Sequence, residues 1–146
     1  MKRKITTLFT ALFMAVIALF AAACGNTGGT AKASVVQTTQ TLVVIAVEET
    51  DGNATLYDVL TALEEKGEIT LESENTAYGQ SITSMNGKPA QDTYYWASYI
   101  TDADMGTDSP FTWNEKTFYY ASFGIGSLQV KAGCYYAFSY ESWAQQ

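Results

Sequence analysis

The chain opens with Lys2, Arg3 and Lys4, followed by an almost uncharged apolar run from Ile5 to Phe20 and the small residues Ala21, Ala22 and Ala23 before Cys24. Basic, apolar and small-residue blocks in that order are the layout of a secretion signal, here residues 1–23. Residues 24–39 are rich in Gly, Thr, Ser and Ala with little to bury, which predicts a flexible linker. From Thr41 to Val47 every position after the first is apolar. A short continuous run of this kind predicts a strand covered on both faces. The period then changes: Leu56, Val59, Leu60 and Leu63 fall at i, i+3, i+4 and i+7, the stripe of a helix packed on a sheet. Thr55 with Asp58 three residues on predicts a capping pair, and Gly67 after Lys66 predicts the stop.

The remainder reads as strands and turns. Glu68 to Glu72 alternates well enough for an exposed strand, Tyr78 to Gly87 reads as another β segment, and Asn86-Gly87 is a tight-turn signal. Tyr94 to Ile100 is aromatic and β-branched without a charge. It predicts a central strand with Tyr94, Trp96, Ser98 and Ile100 on one face and Tyr95, Ala97 and Tyr99 on the other. If buried, the Trp96 indole N–H needs a partner. Residues 101–116 are polar around Pro110, which predicts a long loop, either functional or loose. Phe118 to Phe123, Leu128 to Val130 and Cys134 to Glu141 complete the β set. One helix among strands without regular alternation predicts an α+β domain over residues 40–146, a mixed sheet with one packed helix.

Cleavage after Ala23 changes the charge. Net charge is −7 overall, but the leader takes three of the eight basic residues, leaving five lysines against fifteen acids, a net of −10. The remaining chain has neither Arg nor His, which argues against nucleic acid, whose phosphates are held by Lys and Arg clusters. The Ala-Cys-Gly junction resembles the bacterial lipobox, with Ala21 where a leucine is usual. That resemblance implies lipidation of Cys24 and a tether on the extracellular face of the membrane. An uncleaved anchor and a plain secretory signal are the alternatives. With Cys24 acylated, Cys134 has no disulfide partner, and without His or Arg nearby it reads as a small buried hydrophobe.

Catalytic constellations are hard to assemble. Without His there is no Ser-His or Cys-His pair, and Gly124-x-Gly126 lacks the context of a phosphate loop. Asp102, Asp104 and Asp108 fail the EF-hand pattern at Gly106, Thr107 and Trp113. No catalytic residue and no metal ligand is expected. Phe111, Trp113, Tyr119, Tyr120, Trp96 and Trp143 are the candidates for stacking on a flat ligand or a sugar or for anchoring a protein. Core packing is their competing role, above all for Trp96.

The order of Gly52-x-x-Thr55-Leu56-x-x-Val59-Leu60, then Tyr78-Gly79-x-x-Ile82-x-Ser84-x-Asn86-Gly87, the Trp96 strand and Val130-x-x-Gly133-x-x-Tyr136-x-Phe138-x-Tyr140 carries a family resemblance. It resembles the transcobalamin-like C-terminal domain, a β-grasp-type module of Gram-positive lipoproteins, over roughly residues 40 to 142. Where that family commonly has Asn-Gly after its tryptophan strand and Gly-Asp before its last strand, this chain has Thr101-Asp102 and Gly133-Cys134. The resemblance implies a cobalamin or other corrinoid ligand, with no cofactor built in. In transcobalamin and intrinsic factor a helical domain supplies the second half of the clamp. Here that role would fall to a partner protein such as a surface transporter. A display or adhesion module meeting a protein or glycan is the alternative.

Overall fold

The computed structural model describes residues 28–145, so the leader and Cys24 lie outside it. Its elements in chain order are β1 (Ala31–Thr38), β2 (Leu42–Thr50), α1 (Leu56–Glu65), β3 (Leu71–Thr76), β4 (Gly79–Met85), β5 (Lys88–Pro89), β6 (Tyr94–Ile100), β7 (Gly106–Trp113), β8 (Lys116–Ala121) and β9 (Tyr135–Ser142). Short 3-10 turns cover Ala103–Met105 and Trp143–Gln145. The class is α+β. Six strands form one sheet in the order β1-β2-β9-β6-β8-β7, and β3-β4-β5 form a second. Every pairing is antiparallel, where the sequence had predicted a mixed sheet.

The helix forms as its pattern dictates. Leu56, Val59, Leu60 and Leu63 are buried against the large sheet. Thr55 Oγ1 accepts the Asp58 N–H, and Asp58 accepts the Thr55 N–H at 2.8 Å, closing a capping box. Gly67 ends the helix at φ +75°. Strand β2 is covered on both faces: Val43, Ile45 and Val47 enter the core beneath the helix, and Val44 enters a second cluster behind the sheet. Strand β6 is divided in the same way, with Trp96 and Ile100 in front and Ala97 and Tyr99 behind.

Two stretches depart from the sequence reading. Residues 24–39 were expected to be linker, yet β1 occupies Ala31–Thr38 and pairs along β2 from Ala31 opposite Thr50 to Thr38 opposite Val43. Ala31, Ala33 and Val35 pack on the main core from this edge. Docking begins earlier still. A Cβ on Gly29 would lie 2.0 Å from the Ala54 nitrogen, so only glycine fits there. The second departure is residues 101–116, expected as a loop. They form β7, joined to β8 by a tight turn with Asn114 and Glu115 at φ +47° and +61°. A bulge between Thr107 and Phe111 absorbs Pro110.

Smaller shifts have local causes. The strand expected at Glu68–Glu72 starts at Leu71, because the Gly67 and Glu68 N–H groups close the helix on Glu64 and Leu63. Leu128 to Val130 is extended but holds only an isolated bridge, Gln129 with Thr55. Its carbonyl at Leu128 accepts the Leu56 N–H, and its Val130 N–H donates to Ala54, so it straps the helix start instead of joining a sheet.

The cluster behind the large sheet is roofed by the sheet's own rings. Phe111 stacks on buried Phe118 at 5.0 Å and meets Tyr99 edge-on at 4.7 Å, while Trp113 lies edge-on to Phe118. This explains an aromatic content above what the front core uses.

Candidate functional site

Strand β6 is bound to β9 along its whole length but to β8 only through Tyr99 opposite Tyr120 and Ile100 opposite Tyr119. Beyond Ala121 the chain leaves the sheet. The Ser122 N–H donates to the Met105 carbonyl, and residues 122–127 fold against β4. Gly124 and Gly126 permit that approach: a Cβ on Gly124 would sit 3.3 Å from the carbonyl oxygens of Tyr78 and Gln80, and one on Gly126 would sit 3.0 Å from the Gln80 Cβ.

The parting leaves a cleft of about 650 Å³ between β6, the 121–127 segment and β4. Its floor holds Trp96, Ile82, Ala121 and Ile125, all buried. Its polar groups are Gln80 and the hydroxyls of Ser81, Ser98, Ser122 and Ser127. Its rim carries Tyr120, Phe123 and Trp143, with Tyr78 at the β3–β4 turn 94% exposed. Trp143 stacks on Tyr95 at 3.7 Å, leaving its outer face to solvent. No charged side chain lines the cleft.

Trp96 does more than line this floor. Its indole N–H donates to the Lys88 carbonyl at 2.9 Å, and Tyr140 beside it donates its hydroxyl to the Pro89 carbonyl at 2.8 Å. These bonds pin β5, and with it the small sheet that forms one wall, to the large sheet. The partner expected for a buried indole is thus the opposite wall itself.

Of the six aromatic candidates, Trp96, Tyr120 and Trp143 meet in the cleft. Phe111 and Trp113 do not: they are half-buried in the cluster behind the sheet. Tyr119 lines a separate shallow hollow with Lys116 and Tyr135. Sequence reasoning missed Tyr78, Tyr95, Phe123 and Gln80. The glycine pair after Phe123 was the available signal, since glycines two apart mark a close backbone approach.

No carboxylate or amine lines the cleft, and Tyr120 on its rim is perturbed. Burial, and then the nearby Glu141 charge, raise the Tyr120 phenol above its ordinary value. Burial also raises Tyr99, helped by its hydrogen bond to Glu141 at 2.7 Å. Of the acids of the 101–108 stretch, Asp102 is engaged: it accepts the Asp104 N–H and pairs with Lys131, which holds its carboxyl below the ordinary value. Among the described residues no group of three or more His, Cys, Asp or Glu is placed to share a metal. No helix among them is long and apolar enough to cross a membrane.

No family model matches the chain, and no curated protein matches it. Any functional reading therefore stands on the cleft and on the sequence.

Proposed function

We propose that the protein is a non-catalytic ligand-binding domain of transcobalamin-like, β-grasp type, held on the extracellular face of the cell membrane by a lipid on Cys24. The observation that carries the binding role is the uncharged, aromatic-rimmed cleft of about 650 Å³. Sites for small molecules are concave, largely apolar, and carry a few converging polar groups. A nucleophile needs an adjacent base. The four serines of the cleft have no carboxylate or amine beside them in its lining, so holding a ligand suits the site better than transforming one.

The sequence resemblance points to a corrinoid. A corrin offers broad apolar faces to Tyr120, Phe123 and Trp143, and amide arms to Gln80 and the serines. The open mouth leaves much of so large a ligand exposed, which suits a partner protein closing over it. Titration calorimetry of the full-length chain with cobalamin and cobinamide tests this reading. Saturable heat that Trp143→Ala removes supports it, and no heat at millimolar ligand overturns it. The tether is tested by Cys24→Ser, which moves the protein from the membrane fraction to the medium.

A display or adhesion role is the second reading, and the rim favours it. Tyr78, Phe123 and Trp143 are exposed around one opening, and exposed aromatics at the centre of a patch are the usual anchors of protein contacts.

A further inference from the structure

We infer that the cleft takes an extended peptide segment, added as a strand on the side of β6 that β8 abandons. The inference rests on reading the cleft as the ligand site and names the class of ligand.

The argument starts from main-chain direction. In an antiparallel ladder, successive residues turn their N–H and C=O groups alternately to one neighbour and the other. Tyr94 exchanges both of its hydrogen bonds with Gln91, on the side away from β9. The Trp143 N–H donates to the Thr93 carbonyl, so odd-numbered residues here face the β9 side. By alternation Trp96 and Ser98 turn their amide groups the same way as Tyr94, into the cleft.

On that side Trp96 has no ladder partner among the described residues, and Ser98 keeps only its N–H: the bridge at Tyr94 lies before them, and the Tyr99–Tyr120 pair after them is closed by the Ser98 carbonyl accepting the Ala121 N–H. The gap is an interrupted ladder. It admits an extended stretch of about three residues, roughly 10 Å of chain, bonded to the Trp96 N–H and C=O and to the Ser98 N–H. Sugars and macrocycles do not repeat a donor and an acceptor at the spacing of a strand, whereas a peptide does.

Side-chain surroundings define the peptide further. The cleft crosses the plane of the sheet, so alternate side chains of an added strand meet different walls. Those on the Trp96 side meet Ile82, Ala121 and Ile125 of the main core. Those on the other side meet Tyr95, Tyr120 and Trp143. No charged side chain lines either wall, and the Glu141 carboxylate behind Tyr120 is engaged by the Tyr99 hydroxyl. The preferred segment is uncharged, with small aliphatic residues alternating with residues that lie against rings.

The test uses the full-length chain as bait for a displayed library of random octapeptides. Enriched peptides are then synthesised with blocked ends and titrated while the amide resonances are followed. The proposal expects enrichment of uncharged, alternating sequences and shifts and slowed hydrogen exchange at the Trp96 and Ser98 amides. N-methylation of one alternate set of peptide amides weakens binding about tenfold or more, while methylation of the other set leaves it within about twofold. No enrichment, equal loss from both sets, or unmoved Trp96 and Ser98 amides overturns it. Cobinamide and a neutral chito-oligosaccharide are titrated in parallel. If either shifts the Trp143 ring while no peptide binds, the cleft stands as a ligand site and the peptide inference falls. If nothing binds in any arm, both fall.

Discussion

Tyr136 offers the sharpest check on how this domain is held together. It sits on β9 between Ile45 of β2 and Ile100 of β6 and is fully buried, one of the largest side chains in the core. Its hydroxyl accepts the Lys131 N–H at 2.9 Å, tying the strap that runs along the helix start to the middle of the sheet. In Tyr136→Phe the ring and its packing remain and only the acceptor goes. An abandoned buried donor costs about 1–3 kcal/mol, and the exposed Lys131 lets water recover part of that, so about 1–2 kcal/mol is expected at pH 8. For a domain of this size each kcal/mol is roughly 3–6 °C in Tm. A second signature comes from titration. Burial pushes the Tyr136 phenol up to about 12, against the Lys131 hydrogen bond, which opposes the rise. The unfolded chain releases this proton near pH 10. Its contribution is therefore complete below about pH 10 and drains away between about pH 10 and 12, as the unfolded state gives up the proton first. Tyr99 and Tyr120 are raised too, so the wild type falls steeply there and the variant falls less steeply. Urea midpoints followed by tryptophan fluorescence from pH 8 to 11.5 measure both signatures, with m unchanged. Equal stability at pH 8 together with parallel alkaline curves would refute the latch.

Three further outcomes follow from single contacts. Thr55→Ala removes the Oγ1 half of the capping box while leaving the backbone N–H on Asp58, and lowers stability by about 1 kcal/mol, read from a thermal melt. Trp113→Ala strips a half-buried ring from Phe118 and costs about 2–3 kcal/mol in urea, whereas Trp143→Ala, exposed at the rim, stays within about 1 kcal/mol. The Cys134 thiol is raised, first by burial and then by Asp102, so iodoacetamide labels it more slowly at pH 8 than it labels a free cysteine, and the rate climbs steeply with pH.

The parts of this fold visible in the sequence are those whose residues bury themselves locally. The Leu56 stripe with its Thr55 cap, the doubly covered Leu42–Val47 run, the two faces of β6 and the Asn86-Gly87 turn each state their structure within ten residues. Strand β1 does not. Its Ala31, Ala33 and Val35 are too small to mark a face, and the strand exists because β2 supplies a ladder and Gly29 lets the chain lie against Ala54. Strand β7 hides for another reason: Pro110 and three acids between Asp102 and Asp108 read as loop, and only pairing across the Asn114-Glu115 turn makes it a strand. The cleft was half legible. Trp96, Tyr120 and Trp143 stood out as rings, but their convergence with Tyr78 and Phe123 depends on β4 meeting a segment more than 40 residues later, which no local period encodes.

That convergence also explains why an otherwise sealed sheet is left open at one place. The edge strand β1 is broken by two bulges and carries the exposed pair Lys32–Glu48 at 2.7 Å, and β7 carries the Pro110 bulge, which are the usual guards of a free edge against another chain. The gap beside Trp96 and Ser98 has no such guard: no charge, no proline and no bulge occupies its side of β6. It is instead recessed, with Trp96 and Tyr140 clamping the small sheet across it and the 121–127 segment closing its far wall. A recessed gap lined by rings and hydroxyls excludes the broad sheet of a second domain while admitting a single narrow chain. Recess and width take the place of the electrostatic guards used at the outer edges, and that difference in protection sets this stretch of β6 apart from the edges at β1 and β7.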